Sequence, residues 1–368
     1  MMKVLITGGL GFVGQNLDVR LKEEGIQTLL FDKDNTLEDL TRLINETDFI
    51  VHLAGVNRPL NKEEFYQGNS NLTFQLTELV RKEKRNIPII FSSSIQAVLD
   101  NDYGKSKKQA EDYLIEYQKE TKNDVFIFRL TNLFGKWSRP NYNSVVATFC
   151  HNIAHDLPIT INNPDYELDL VHIDDVVNAF IEVIKNGSKE LYNSVPISHK
   201  VTLGKLAALI TSFKESRKNL FLPEVGDAFT EKLYATYLTY LDENDFSYKM
   251  QSHVDQRGSF TELFKTLANG QFSVNVAKPG ITKGNHYHHK KNEKFIVLSG
   301  QGVIKLRKVN SNQIVTIPVD GKDMTIVDMI PGYTHSITNT GKEDLVFFIW
   351  ASEVFDPNRP DTTFVNVE

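Results

Sequence analysis

The sequence predicts an α/β half, a doubly wound parallel sheet, followed by an all-β half. Two observations carry this reading. In residues 1–185 short apolar runs alternate with stretches of helical periodicity, whereas past about residue 245 glycines punctuate short apolar runs. A third observation marks where a ligand would bind: Thr7-Gly8-x-x-Gly11-x-x-Gly14 lies between the first apolar run and the first amphipathic stretch. A chain of 368 residues is long enough for two domains, each with its own core, and the change of texture divides it into 1–245 and 246–368.

Composition sets the outer bounds. Hydrophobic residues make up 40% and charged residues 24%, as in ordinary globular proteins, and the net charge of −6 gives no electrostatic reason to expect nucleic acid or an anionic membrane as partner. The single cysteine, Cys150, excludes an internal disulfide and fits a reducing, cytoplasmic compartment. No run approaches the roughly 20 apolar residues a spanning helix requires. The N-terminal Met1–Ile6 is too briefly apolar for a secretory leader and reads as a buried first strand.

In the first half, apolar runs at 3–7, 27–32, 48–54, 88–94, 125–130 and 168–173 read as strands, with helices such as 12–24 and 69–82 between them. Near-continuous apolar strands imply a sheet covered on both faces and joined by right-handed crossovers. Gly8, Gly11 and Gly14 permit a tight turn, close backbone approach to a pyrophosphate, and close helix–strand packing. Asp32 ends the second strand, where a carboxylate can accept from an adenosine ribose hydroxyl, while the adjacent Lys33 suits a 2′-phosphate; spacing leaves NAD and NADP both open. Tyr103 and Lys107 lie four apart, on one helix face, so that the ammonium is expected to lower the phenol pKa and make it a proton donor to a carbonyl receiving hydride. Ser92-Ser93-Ser94 ends the fourth strand, where a hydroxyl can share that carbonyl oxygen.

These residues carry a resemblance. Thr7–Gly14 (with Phe12 and Val13), Val51-His52-Leu53-Ala54-Gly55, Ser92–Ser94 and Tyr103-x-x-x-Lys107 resemble the extended short-chain dehydrogenase/reductases that act on nucleotide sugars. Arg129-x-x-Asn132-x-Phe134-Gly135 is similar to that family's segment in which the Asn contacts the nucleotide sugar, and Leu170–Val176 to its late strand-and-helix signature. The resemblance covers about residues 1–215. It implies a Rossmann-type domain in which Ser94, Tyr103 and Lys107 are catalytic. Gly8, Gly11, Phe12, Val13, Gly14, Asp32, Lys33, Leu53, Ala54 and Lys107 would then hold the cofactor, with NADP(H) preferred over NAD(H). The nine residues from Ser94 to Tyr103 are fewer than is usual in the family.

In the second half, Gly280-x5-His286-x-His288-x4-Glu293-x6-Gly300 precedes Pro331-Gly332-x-x-His335-x3-Asn339. His286 and His288 alternate along one strand, so both point to one face, and Glu293 and His335 complete a three-His, one-carboxylate set suited to one divalent metal such as Zn. His253 and His289 read as lying outside that set. The pattern resembles the two motifs of a cupin β-barrel, with Ile330 where a proline is usual. Asp255-x-Arg257-Gly258-x-Phe260-x-Glu262 and Gly284-Asn285-His286-Tyr287-His288 are also similar to nucleotide 4-keto-sugar 3,5-epimerases, in which the His of the His-Tyr pair is a metal-free base.

A reductase fused to a cupin resembles the bifunctional enzymes of capsular polysaccharide synthesis. This implies C3 epimerisation of a UDP-4-keto-6-deoxy-N-acetyl-hexosamine, then NADPH-dependent C4 reduction to a UDP-2-acetamido-2,6-dideoxy-L-talose-type product, in a homodimer. Two other readings stay open at this level: a non-catalytic dinucleotide sensor, and a cupin that is a 3,4-ketoisomerase or only a dimerisation element.

Overall fold

In a computed structural model describing residues 2–368, the chain divides into two compact units. One comprises the residues up to Thr211 together with Asp227–Leu241; the other comprises Ser212–Gly226 and Asp242–Glu368. The division thus interleaves, with 212–226 grouping with the later unit instead of the earlier one. No helix among the described residues is long and apolar enough to cross a membrane.

The first unit begins β1 (Lys3–Thr7), α1 (Phe12–Glu23), β2 (Gln27–Phe31), α2 (Leu37–Glu46) and β3 (Phe49–His52). A single turn α3 (Glu63–Phe65) runs through a π-helical stretch, Tyr66–Asn71, into α4 (Leu72–Lys82). β4 (Ile89–Ser94), α5 (Asp102–Thr121) and β5 (Val125–Leu130) follow. The main sheet has six parallel strands in the order β2-β1-β3-β4-β5-β8, the last being the short β8 (Tyr192–Asn193). Alternate residues of β1 explain the continuous apolar runs. Val4 and Ile6 join the core under α1 and α7 (Ile173–Asn186), while Leu5 joins the core under α2, α4 and α5. Val4, Leu5, Ile6 and Thr7 are thus all buried, on one face or the other, so no polar alternation survives.

The run at 168–173 is the exception. It forms β7 (Glu167–His172), which lies outside the main sheet in a three-stranded one, order β6-β7-β9, with β6 (Asn132–Phe134) and β9 (His199–Thr202). Its alternation explains the difference: Glu167 is exposed and Asp169 half-buried between the buried Leu168 and Leu170, the pattern of a one-sided sheet. α6 (Val145–Ala154), α8 (Leu203–Asn219) and α9 (Ala228–Leu238) complete the helices.

The later unit is antiparallel. One sheet has the order β10-β11-β12-β19-β14-β17 and the other β16-β15-β18-β13-β20. Their strands are β10 (Ser252–Asp255), β11 (Gly258–Thr266), β12 (Gly270–Ala277), β13 (Thr282–Tyr287), β14 (Glu293–Ser299), β15 (Gln301–Lys308), β16 (Ile314–Asp320), β17 (Ile326–Met329), β18 (Tyr333–Asn339), β19 (Leu345–Ala351) and β20 (Thr363–Phe364). Phe295, Val297 and Phe347 of the first sheet share a core with Ile304, Leu306 and Ile337 of the second. The expected all-β half is present as these two packed sheets; the described strands do not close into the expected barrel.

Candidate functional sites and comparisons

The N-terminal site lies at the C-terminal edge of the main sheet, where β1 and β3 lead in opposite directions to their neighbours. Gly8 has φ +70°, and a Cβ on Gly14 would lie 2.3 Å from the Gly8 carbonyl oxygen, so the turn between β1 and α1 admits no side chain there. Gly11 caps α1 without a side-chain acceptor, leaving the helix N-terminus for an anion. The turn is tied to the loop after β3. His52 bridges Thr7 Oγ1 at 2.6 Å and Thr73 Oγ1 at 2.9 Å, and the Ala54 amide donates to Thr7 Oγ1 at 3.2 Å. Burial, with Lys107 adding to it, pushes His52 down to about 3, so the bridge is neutral. Asp32 accepts from the Leu10 amide at 2.9 Å, which steadies the same turn, and Lys33 beside it is exposed.

α5 starts beneath this edge, capped by Asn101, whose side chain accepts from the Gly104 amide at 2.8 Å. It carries Tyr103 and Lys107 toward β4. The Ser94 hydroxyl comes close enough to the Tyr103 phenol to lower its pKa, so the short nine-residue connection still brings the two together. Lys107 is 4% exposed, donates to the Ser92 carbonyl at 3.0 Å, and lies over the Phe91 ring. The expected effect of Lys107 on Tyr103 is not the one found. Burial raises the phenol pKa above its ordinary value, offset in part by Ser94, while burial pushes Lys107 down to about 8. Desolvation, which disfavours the phenolate as it does the ammonium, is the larger influence on both groups.

Two groups that the spacing argument passed over complete the surroundings. Glu111, one turn beyond Lys107 and fully buried, accepts two bonds from Arg129 at 2.9 and 2.6 Å and one from Ser93 at 2.5 Å; its charge holds the Lys107 pKa up. The i, i+4 spacing from Lys107 to Glu111 was a legible signal. Asn69, in the π-helical turn, donates to Ser106 Oγ at 2.9 Å and accepts from the Val56 amide at 2.9 Å, and no spacing rule points to it. Asn132 is exposed on β6, its amide donating to the Asp169 carbonyl at 3.4 Å.

In the later unit, His286, His288, Glu293 and His335 come together, each offering one donor atom within 4.8 Å of the others. His286 lies on β13 opposite His335 on β18, past a bulge at which Asn285 takes φ 58°. His288 follows the end of β13 instead of alternating within it, and Glu293 opens β14. Glu293 Oε1 is 3.6 Å from His288 Nε2 and Oε2 is 3.5 Å from His335 Nε2. Both imidazole Nε2 atoms are buried without a hydrogen-bond partner. Donors about 2.1 Å from one centre at tetrahedral angles lie about 3.4 Å apart, so the orphaned nitrogens and the carboxylate fit around a single divalent ion. Burial favours the neutral Glu293 acid, but His288 and His335 outweigh it and keep the carboxyl ionised. Burial, with His335 adding to it, holds His286 down at about 4, the neutral form a ligand needs. His253 and His289 are exposed and lie outside the cluster.

Comparison with known proteins agrees with this two-part architecture. Residues 4–194, just over half of the chain, match the NAD dependent epimerase/dehydratase family, and residues 253–363 match the polysaccharide biosynthesis C-terminal domain. The chain is 48% identical, over 98% of each, to UDP-2-acetamido-2,6-beta-L-arabino-hexul-4-ose reductase of Pseudomonas aeruginosa. It is 46% identical to the capsular polysaccharide assembling protein CapF of Staphylococcus aureus, with a TM-score of 0.93 and full coverage of both chains. A CapF structure with the inhibitor 3-isopropenyl-tropolone matches with 42% identity, a TM-score of 0.89 and full coverage of both. With its first unit built around a glycine turn and a parallel sheet, the chain belongs to the NAD dependent epimerase/dehydratase family.

Proposed function

We propose that this chain is a bifunctional nucleotide-sugar enzyme of capsular polysaccharide synthesis. Residues 246–368, a cupin in this reading, epimerise C3 of a UDP-4-keto-6-deoxy-N-acetyl-hexosamine. Residues 1–245 then reduce C4 with NADPH, giving a UDP-2-acetamido-2,6-dideoxy-L-talose-type product. The observation that carries the reading is the 48% identity, from end to end, with a reductase named for a UDP-linked 4-ketosugar.

The residues have separable tasks. Tyr103 gives its proton to the C4 oxygen and Ser94 holds that oxygen by a second hydrogen bond. Because burial raises the phenol pKa, the phenolate left behind needs a nearby cation, which Lys107 supplies as its ammonium. Lys107 would also reach the nicotinamide ribose of a bound cofactor, Gly8, Gly11, Phe12, Val13 and Gly14 would hold its pyrophosphate, and Leu53 and Ala54 would border it. Asp32 and Lys33 face the adenosine ribose, and Asn132 holds the nucleotide sugar through its exposed amide. NADPH supplies the hydride.

In the cupin, His286, His288, Glu293 and His335 would hold a divalent ion, Zn(II) by its N/O donor set. When bound, such an ion lowers the cost of negative charge on a ketone oxygen, the charge that builds when the C3 proton leaves. The tropolone of the CapF structure presents adjacent ketone and hydroxyl oxygens, a pair suited to chelation. The same reading has two copies of the chain forming a homodimer, which sedimentation checks.

The test is to incubate the protein with the 4-keto UDP-sugar and NADPH in deuterated water. Loss of NADPH absorbance together with deuterium at C3 is expected. No NADPH oxidation sinks the reductase, and reduction without deuterium at C3 sinks the epimerase.

A further inference from the structure

The C-terminal segment after β19 contains none of the four clustered donors, yet it lies against the loop between β13 and β14 that carries His288. Asp361 accepts three backbone N–H groups of that loop: His289 at 2.9 Å through Oδ1, and Lys290 and Lys291, each at 2.8 Å, through Oδ2. Its main-chain carbonyl faces His288 Nδ1, with Thr362 Oγ1 a further 3.4 Å neighbour of that nitrogen. Thr362 also accepts from the Lys291 ammonium at 3.4 Å. Beyond it β20 pairs with β13, setting Phe364 opposite His286 with the two rings 6.0 Å apart.

We propose that Asp361 is the positioning residue of the metal centre, a clasp that sets the orientation and tautomer of His288; the proposal rests on the metal reading given above. The reasoning is geometric. A carbonyl can only accept, so the Nδ1 facing Asp361 carries the proton and the lone pair is left on Nε2. That Nε2 is the buried atom without a partner, aimed at Glu293. His335 repeats the arrangement more weakly, with Nδ1 3.4 Å from the Tyr333 carbonyl and Nε2 orphaned. Pairing of β13 with β18 holds His286 and His335 in register, but His288 lies past the end of β13, outside that ladder, its carbonyl accepting from the Gly332 amide at 2.8 Å. The three N–H bonds to one carboxylate take the place of that ladder. An ionised carboxylate accepting several backbone N–H groups is a strong, directional anchor, and outer partners of ligating histidines are worth about 10- to 100-fold in metal affinity.

The experiment uses the full chain as wild type, Asp361→Ala and Asp361→Asn, each stripped of metal and titrated with Zn(II) against a chromophoric chelator. Thermal melts of the metal-free proteins and histidine ¹⁵N spectra of the Zn(II) forms accompany the titration. We expect Asp361→Ala, which keeps the main-chain carbonyl but releases the loop, to bind Zn(II) about 10- to 100-fold more weakly, with a metal-free melt close to wild type and the His288 Nδ1–H signal shifted and less protected. Asp361→Asn keeps one acceptor oxygen and should show a smaller loss. Wild type taking up no Zn(II) overturns the metal reading and the clasp with it. Wild type and Asp361→Ala binding alike, with the His288 signal unmoved, overturns the clasp alone. Collapse of the metal-free fold in both variants also overturns it, since Asp361 is then a folding element.

Discussion

The two candidate sites are assembled by different kinds of structure. In the first unit the key groups are close in sequence: a glycine turn of eight residues, and Tyr103 and Lys107 one helical turn apart. In the second, the four donors come from β13, its following loop, β14 and β18, and a residue 26 positions beyond the last donor closes the arrangement. A helix delivers i, i+4 neighbours to one face whatever surrounds it. A strand site depends on register, and a slip of one residue would turn His286 away from His335. The first site therefore resists distant change, and the second is sensitive to residues far along the chain.

The largest expected effect tests whether the two sites work separately. Tyr103→Phe should lower NADPH oxidation by at least about 100-fold while leaving cofactor binding nearly intact, because only the proton donor is lost. An unchanged turnover number would remove Tyr103 from the mechanism. The matching change in the second unit is His288→Ala. Zn(II) affinity should fall by more than about 100-fold, since the loss of a ligand exceeds the loss of its outer partner. Deuterium exchange at C3 should stop, while a pre-epimerised ketone is still reduced by NADPH. Exchange persisting at the normal rate in a folded, metal-free variant would make His286 a base acting without metal.

A smaller effect concerns charge. Burial lowers Lys107 to about 8, so its ammonium is lost as pH rises through that value, and kcat/KM for NADPH oxidation should decline above it. The Glu111 carboxylate opposes the shift; Glu111→Gln should therefore move this alkaline limb to lower pH. A limb that stays in place would detach Glu111 from Lys107. The smallest change is expected at the exposed Lys33. Lys33→Ala should reduce kcat/KM for NADPH by about 3- to 10-fold and leave NADH nearly untouched. A wild-type preference for NADH would show that Asp32, held against the Leu10 amide, excludes the 2′-phosphate instead.

Much of the first unit was legible because its signals are local. Near-continuous apolar runs marked β1 to β5, and the glycine spacing marked the turn before α1. The run at 168–173 misled, since a short apolar segment shows that it is a strand but not which sheet it joins. Tyr103 misled in another way. Spacing showed the neighbouring charge, but the burial that raises the phenol pKa comes from packing.

By itself the sequence determined the two textures, the glycine turn, the helix face shared by Tyr103 and Lys107, and the donor types of the His286, His288, Glu293 and His335 cluster. Each follows from the chain's own periodicity or residue chemistry over a few positions. Tertiary structure alone decided that Ser94 meets Tyr103, that Glu111 lies buried under Arg129, that the β strands form two packed sheets, and that Asp361 holds the loop of His288. The physical reason is that burial and long-range register are properties of the folded neighbourhood, and a neighbour 70 or more residues away leaves no periodic trace in the sequence.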